Sequence, residues 1–197
     1  MGRPKALVVD GASGRAWVEE TVGRVLATGI TRVVVVVGSA GEEVAEVLLA
    51  AGAAGRWPGA AVEVVSCPDW ASGMGASLRF GLEALDGRAD AALVTLVDLP
   101  DVGADVLARV LSAADGEGRG GLVRAAYEGV PGHPVLLGAD HWAGVLDGAR
   151  GDRGARDYLA AHPPRLVECG DLATGKDVDS PGELAPRSTA GPSRGSC

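Results

Sequence analysis

The chain has 197 residues, 47% of them hydrophobic but only 4% aromatic, with 31 glycines, 11 prolines and a formal net charge of −8. Its wealth of Val, Leu and Ala excludes a wholly disordered polypeptide, and the length suits one α/β domain with its own core. Scattered acids with few compensating bases argue against a protein that holds nucleic acid by neutralising phosphates, although a small anionic ligand needs only a few local donors.

The elements follow in chain order. Residues 6–10 form a short apolar run closed by Gly11, and residues 16–28 carry Val18, Val22, Val25 and Leu26 at helical spacing. Thr31 opens the unbroken run Arg32-Val33-Val34-Val35-Val36-Val37, a β-branched stretch expected to be a strand buried on both faces. A helix over 42–54, a strand over 62–66 and a helix over 73–85, with Leu78, Leu82 and Leu85 on one face, come next. A further buried strand spans 91–97 and ends at Asp98-Leu99-Pro100-Asp101. Beyond it the pattern predicts a helix over 105–114, strands over 120–127 and 133–137 with a turn over 127–132, a helix over 155–161 and a strand over 165–169. Strand and helix alternation of this kind implies an α/β fold of Rossmann-like, three-layer form with a mostly parallel sheet. One domain over 1–185 is expected, and residues 186–197, which lack apolar periodicity, read as a disordered tail.

Ligands of open α/β sheets bind beyond the carboxyl ends of the strands, where Asp98 sits. A carboxylate there suits a divalent cation; a turn or capping acid is the equally weighted bland reading. In Asp177-Val178-Asp179 alternation points both acids to one side, so either could complete a metal site with Asp98, while Asp179 or Ser180 could instead cap the turn at Pro181. The segment 68–78 enters a helix through Gly73, Met74, Gly75, Ser77 and Leu78, a combination that lets backbone approach a base or a phosphate. Lys5 is one of two lysines among bases that are otherwise arginine, and an ammonium is a compact point charge for phosphate. His133 could line the same cleft, though a lone histidine beside a proline is more often structural. The cysteines Cys67, Cys169 and Cys197 form no CxxC pair and fit a reduced cytoplasm; no run of 18 apolar residues and no signal-peptide region is present, so neither a membrane nor export is expected.

Taken together, Met1-Gly2-Arg3-Pro4-Lys5, the 67–78 segment, Leu96-Val97-Asp98-Leu99-Pro100, Gly129-Val130-Pro131-Gly132-His133-Pro134 and Gly151-Asp152-Arg153-Gly154-Ala155-Arg156 resemble the MobA-like nucleotidyltransferases, in order and up to about residue 184. The branch most resembled is the molybdenum cofactor cytidylyltransferases of the MocA type. That resemblance implies transfer of CMP from CTP to the phosphate of molybdopterin, with release of pyrophosphate; GTP or another acceptor phosphate, or a non-catalytic nucleotide-binding accessory of molybdenum hydroxylases, are the alternatives. It further implies that Arg3 and Lys5 meet the NTP phosphates, that Gly73, Met74, Gly75, Ser77 and Leu78 hold the nucleotide, that Asp98 and Asp179 bind Mg²⁺, and that His133, Asp152 and Arg153 face the acceptor. Family members open with a first strand and a glycine-rich loop of the form LAAGxGxRMGxxK, and this sequence begins at the Met-Gly-x-x-Lys end of that motif. The expectation is therefore a strand at Val33 to Val37 with no partner on one side and a partial loss of activity, in a chain shortened at its N-terminus, an active variant that rebuilds the phosphate site from Arg3, Lys5 and a partner, or a non-enzymatic descendant that binds nucleotide or protein.

Overall fold

The computed structural model describes residues 4–85 and 87–178. The expected tail at 186–197 lies outside them. After a 3₁₀ turn at Lys5–Leu7 the elements run α1 (Trp17–Leu26), β1 (Arg32–Val37), α2 (Gly41–Ala53), β2 (Ala61–Ser66), α3 (Met74–Leu85), β3 (Ala91–Val94), α4 (Ala104–Ala113), β4 (Leu122–Tyr127), β5 (Val130–Gly138), α5 (Ala139–Gly148), α6 (Arg156–Ala161) and β6 (Arg165–Glu168). This is an α/β fold of the Rossmann-like nucleotidyltransferase kind.

Its strands form two sheets. β1 and β2 pair in parallel, and the second sheet has the order β3-β5-β4-β6. Within it β5 is antiparallel to both β3 and β4, because β4 and β5 are joined by a hairpin, while β4 and β6 are parallel. The parallel character expected from the alternation thus resides in β1–β2 and β4–β6. The hairpin turn is only Glu128-Gly129, both with positive φ (52° and 79°), as two-residue hairpin turns require. β5 therefore starts at Val130 and runs through Pro131 and Gly132, which the sequence pattern assigns to the turn, before the expected strand from His133.

β1 has a partner on one side only. Cys67 N–H donates to Val37 C=O and Ala61 N–H to Thr31 C=O, so the odd-numbered residues of β1 face β2. The main-chain groups of Val34 and Val36 consequently point to the other edge, where no strand lies among the described residues. β3 is open in the same way: Ala139 N–H bonds Asp90 C=O, which fixes Ala92 and Val94 as the residues bonded to β5 and leaves Leu93 pointing outward. Open on one edge, the valine run is half-buried, with only Val37 buried, rather than sealed on both faces as its composition suggests.

Side chains hold the two sheets in one layer. On one face Val33 of β1 and Ala91 and Leu93 of β3 pack against a shared cluster built from Val25 of α1 and Val106, Leu107 and Val110 of α4. On the other face α3 spans both sheets. Gly81 lies against Val36, where a Cβ would come within 3.1 Å of the valine methyl, and Leu78, Leu82 and Leu85 join Ala92, Val135 and Leu137. Trp142 and Val145 of α5 and Leu159 of α6 complete that second cluster.

The hairpin is tied to β6 by one carboxylate. Glu168 accepts main-chain N–H bonds from Glu128 and Gly129, both at 2.9 Å, and from Gly170 at 2.8 Å. These donors favour the ionised form and hold the Glu168 pKa below its ordinary 4.5. With the folded pKa depressed, the stabilisation is complete above pH 4.5 and is lost as pH falls through the folded value. Glu168→Gln is expected to lower the urea midpoint at pH 7 and to shrink its difference from the parent chain as the pH is brought down towards 3, a comparison that urea titrations at four pH values would make.

Candidate active site

The site assembles beyond the carboxyl ends of β1, β2 and β3. Leu7 is buried with Val37 and Val44, which seats the 3₁₀ turn at the end of β1 and delivers Lys5 there. Lys5 Nζ stands 3.0 Å from Asp98 Oδ2, with the two side chains 35% and 21% exposed. At that exposure the ion pair contributes about 1 kcal/mol or less to stability, so its significance is where it puts the charges.

Asp98 lies past the end of β3, which closes at Val94, three residues earlier than the apolar run predicts. The chain from 95 to 98 leaves the ladder, and Leu96 and Val97 turn into the two clusters beside β1. The second acidic segment is brought to the same place. Val178 N–H donates to Asp98 C=O at 3.0 Å, and Asp101 Oδ2 accepts from both the main-chain N–H and the hydroxyl of Thr174 at 2.6 Å. Between these ties Gly175, at φ +63°, lies flat on the Tyr127 ring; any side chain there would overlap it. Asp177 flanks the tie and is exposed. Asp179 and Arg3 lie outside the described residues.

His133 enters from β5. The register that sets Val94 opposite Val135 carries His133 two residues past the end of β3, and the charge of Asp98 reaches its ring. Its carbonyl accepts from the Tyr127 hydroxyl at 2.6 Å, linking β5 to the ring under Gly175. Burial and then the Arg124 charge drive the imidazole down to about 4, against the opposing pull of Asp98. The ring is neutral at pH 7. Because the unfolded chain binds this proton more readily, His133 makes stability fall as the pH drops from 6.5 towards 4. An NMR titration is expected to show the His133 ring unprotonated at pH 6 and half-protonated near pH 4.

The glycines of the 73–78 segment are used differently from the sequence reading. Gly73, at φ +112°, is covered by the backbone of Gly151 and by Asp152, and a Cβ would lie 2.7 Å from Asp152 Oδ1. Gly75 is buried against Ala149 and Arg150, where a Cβ would sit 2.8 Å from the Arg150 nitrogen. The close approach they permit is therefore made by the chain's own 149–152 backbone. Leu78 packs in the α3 cluster, Ser77 is half-buried, and Met74 remains 45% exposed. Of the expected acceptor-side pair, Asp152 rests on Gly73 and Arg153 is engaged with Asp157 at 3.0 Å. Gly73→Ala is expected to cost about 1–3 kcal/mol through the strained φ and the overlap with Gly151, measurable by urea unfolding.

Two features escape the sequence reading. Arg124, on β4, donates from Nε to Gly132 C=O at 2.8 Å and from Nη2 to Pro131 C=O at 3.3 Å, directly before His133. Helix α5 is the other, although Trp142, Val145 and Leu146 carry helical spacing that could have revealed it. A cavity of about 660 Å³ opens by Ile30, Thr31 and Ala60, at the amino ends of β1 and β2, away from these groups.

The Asp98 carboxylate offers the oxygen ligand that Mg²⁺ and Mn²⁺ prefer, and such ions commonly take one or two carboxylates with phosphates and water completing the shell. Among the described residues no group of three or more His, Cys, Asp or Glu side chains gathers at one point. Both described cysteines, Cys67 and Cys169, are buried free thiols, and no described helix is long and apolar enough to cross a membrane.

A Rossmann-like sheet with a lysine and two acidic segments gathered at its carboxyl edge is the build of an NTP transferase domain. The chain belongs to the MobA-like NTP transferase domain family, whose model matches residues 1–166. Among solved structures it is similar to Rv0371c from Mycobacterium tuberculosis H37Rv, with 22% identity, a TM-score of 0.62, and coverage of 86% of this chain and 80% of that one. A manganese complex of the same protein matches at 22% identity and a TM-score of 0.58, over 85% of this chain and 83% of that one. The Rv0371c homologue from Mycobacterium sp. strain JC1 matches at 21% identity and a TM-score of 0.63, over 91% and 84%. At these identities the likeness is one of fold. No curated protein sequence matches the chain.

Proposed function

We propose that the protein is a cytoplasmic, divalent-metal-dependent nucleotidyltransferase of the MocA type, moving CMP from CTP to the phosphate of molybdopterin and releasing pyrophosphate, in service of a molybdenum hydroxylase. The observation that supports the reading is the hydrogen bond from Val178 N–H to Asp98 C=O, which brings residues 177–178 up to the aspartate that pairs with Lys5, in a chain of this family.

In this reading Asp98 and Asp179 hold Mg²⁺, and the bound ion supplies neutralisation of the triphosphate. Arg3 and Lys5 meet the donor's phosphates. The Met74 to Ser77 end of α3 contacts the nucleotide, with Gly73 and Gly75 shaping the loop and Leu78 anchoring it from the core. The manganese complex of Rv0371c supports a divalent ion at this kind of fold. Attack of an acceptor phosphate on the α-phosphate brings anions together, so charge neutralisation and in-line placement are the main demands. No general base is needed for a nucleophile that is already anionic, which agrees with a neutral His133 that shapes the cleft without carrying charge.

The test is transfer of ³²P from α-labelled CTP to a molybdopterin acceptor with and without Mg²⁺. Label is expected in the pterin product only with metal, and Asp98→Ala is expected to cut the rate roughly 100-fold or more, the scale of several kcal/mol of metal stabilisation. Running GTP beside CTP reads the base preference. Binding of CTP without turnover on any phosphorylated acceptor would replace the enzyme reading with that of a nucleotide-binding accessory protein.

A further inference from the structure

Arg124 leaves β4 on the same face as Leu122, which packs into the cluster under α3, α5 and α6. Val135 stands directly opposite it, and His133 lies two residues further along β5 on that face. Val135 shares its cluster with Ala155, the residue before Arg156 at the start of α6. The topology thus carries Arg124, His133 and Arg156 to one side of the sheet, at the end where Asp98 and Lys5 meet.

The charges there are unbalanced. Arg124 is half-buried and fixed by two carbonyls, with no carboxylate on it among the described residues. Arg156 makes no hydrogen bond or ion pair with the described residues, whereas Arg109, Arg119, Arg153 and Arg165 each hold an acid. Burial, and then the nearby Arg156 charge, hold the Arg124 guanidinium below its usual range. The one acid whose charge reaches His133 is Asp98, already paired with Lys5. Two guanidiniums kept near each other beside a neutral imidazole make an arrangement that an oxyanion relieves, and planar forked donors match a phosphate better than any other common group.

We propose that Arg124 and Arg156, beside His133, form the subsite that receives the phosphate monoester of the acceptor. The inference rests on the nucleotidyl-transfer reading and assigns to it the place of the nucleophile. An oxygen of the seated phosphate forms a bond to the α-phosphorus of the nucleotide while the bond from that phosphorus to the oxygen bridging the β-phosphate breaks. Pyrophosphate leaves with the electron pair, and no proton moves.

Isothermal titration of the full chain with inorganic phosphate and with phenyl phosphate tests the subsite without turnover. Both ligands are expected to bind, phosphate affinity to fall roughly tenfold in Arg124→Gln and in Arg156→Gln, and Arg156→Lys to recover part of it, while CTP with Mg²⁺ binds all four chains equally. Arg156 is exposed and without a folded partner, so its variants keep the parent melting temperature even if Arg124→Gln does not fold. Unchanged phosphate affinity in a folded Arg156→Gln, no phosphate binding by the parent, or displacement of phosphate by CTP would each overturn the subsite. Failure of CTP to bind at all would instead strike the transfer reading, leaving the phosphate titrations to decide the subsite on their own.

Discussion

The layer that carries the site is held together across a break in its hydrogen bonding. β1–β2 and β3-β5-β4-β6 share no ladder, and the outward main-chain groups of Val34, Val36 and Leu93 have no strand partner among the described residues. What keeps the two sheets in register is apolar packing from above and below. The α1–α4 cluster receives Val33 and Leu93 together, and α3 lays Gly81 on β1 and Leu82 on β3. Such packing is nondirectional, so each contact has to be close to be effective. Gly81 is the clearest instance, since a methyl there would push α3 away from the sheet it bridges.

The site depends on that arrangement because its parts come from both sides of the break. Lys5 reaches it from the end of β1 through Leu7, Asp98 from the end of β3, and His133 and Arg124 from the hairpin of the second sheet. Distances between charges on the two sides are set by helices rather than by strand hydrogen bonds. On the second sheet's side polar groups tie Asp101 to Thr174, Val178 to Asp98, and Tyr127 to His133. Lys5 is the member delivered from the other sheet, and its pairing with Asp98 is the polar contact across the gap at this end.

How much of this the sequence reveals follows from the kind of interaction involved. Helical and strand periodicity locate eleven of the twelve α-helices and strands among the described residues, because burial on one face leaves a mark at every turn or every second residue. The sequence offers Asp98 as an acid at the end of a strand and 177–179 as a second acidic segment, and the hydrogen bond from Val178 to Asp98 joins the described parts of the two. What is not legible is who fills the space a glycine opens. Gly73 and Gly75 read as ligand-facing, yet residues 149–152 lie against them, since close backbone approach has the same sequence signature whether the visitor is a ligand or the chain itself. The end of β3 is missed for a similar reason: Leu96 and Val97 remain apolar because they turn into helix-lined clusters, not because they continue the strand.

Arginine usage shows the same limit and also how a structure resolves it. Arg153 and Arg156 stand three apart in one loop-to-helix segment, and nothing local separates their roles. Folding separates them. Arg153 lies one helical turn from Asp157 and is neutralised by it, whereas Arg156 is displaced to the side of α6 whose charge reaches Arg124. Arg124 in turn holds no acid among the described residues, its two bonds being taken by the Pro131 and Gly132 carbonyls. In a chain of net charge −8, where acids are abundant, two guanidiniums that hold no acid among the described residues are what the proposed acceptor-phosphate subsite rests on.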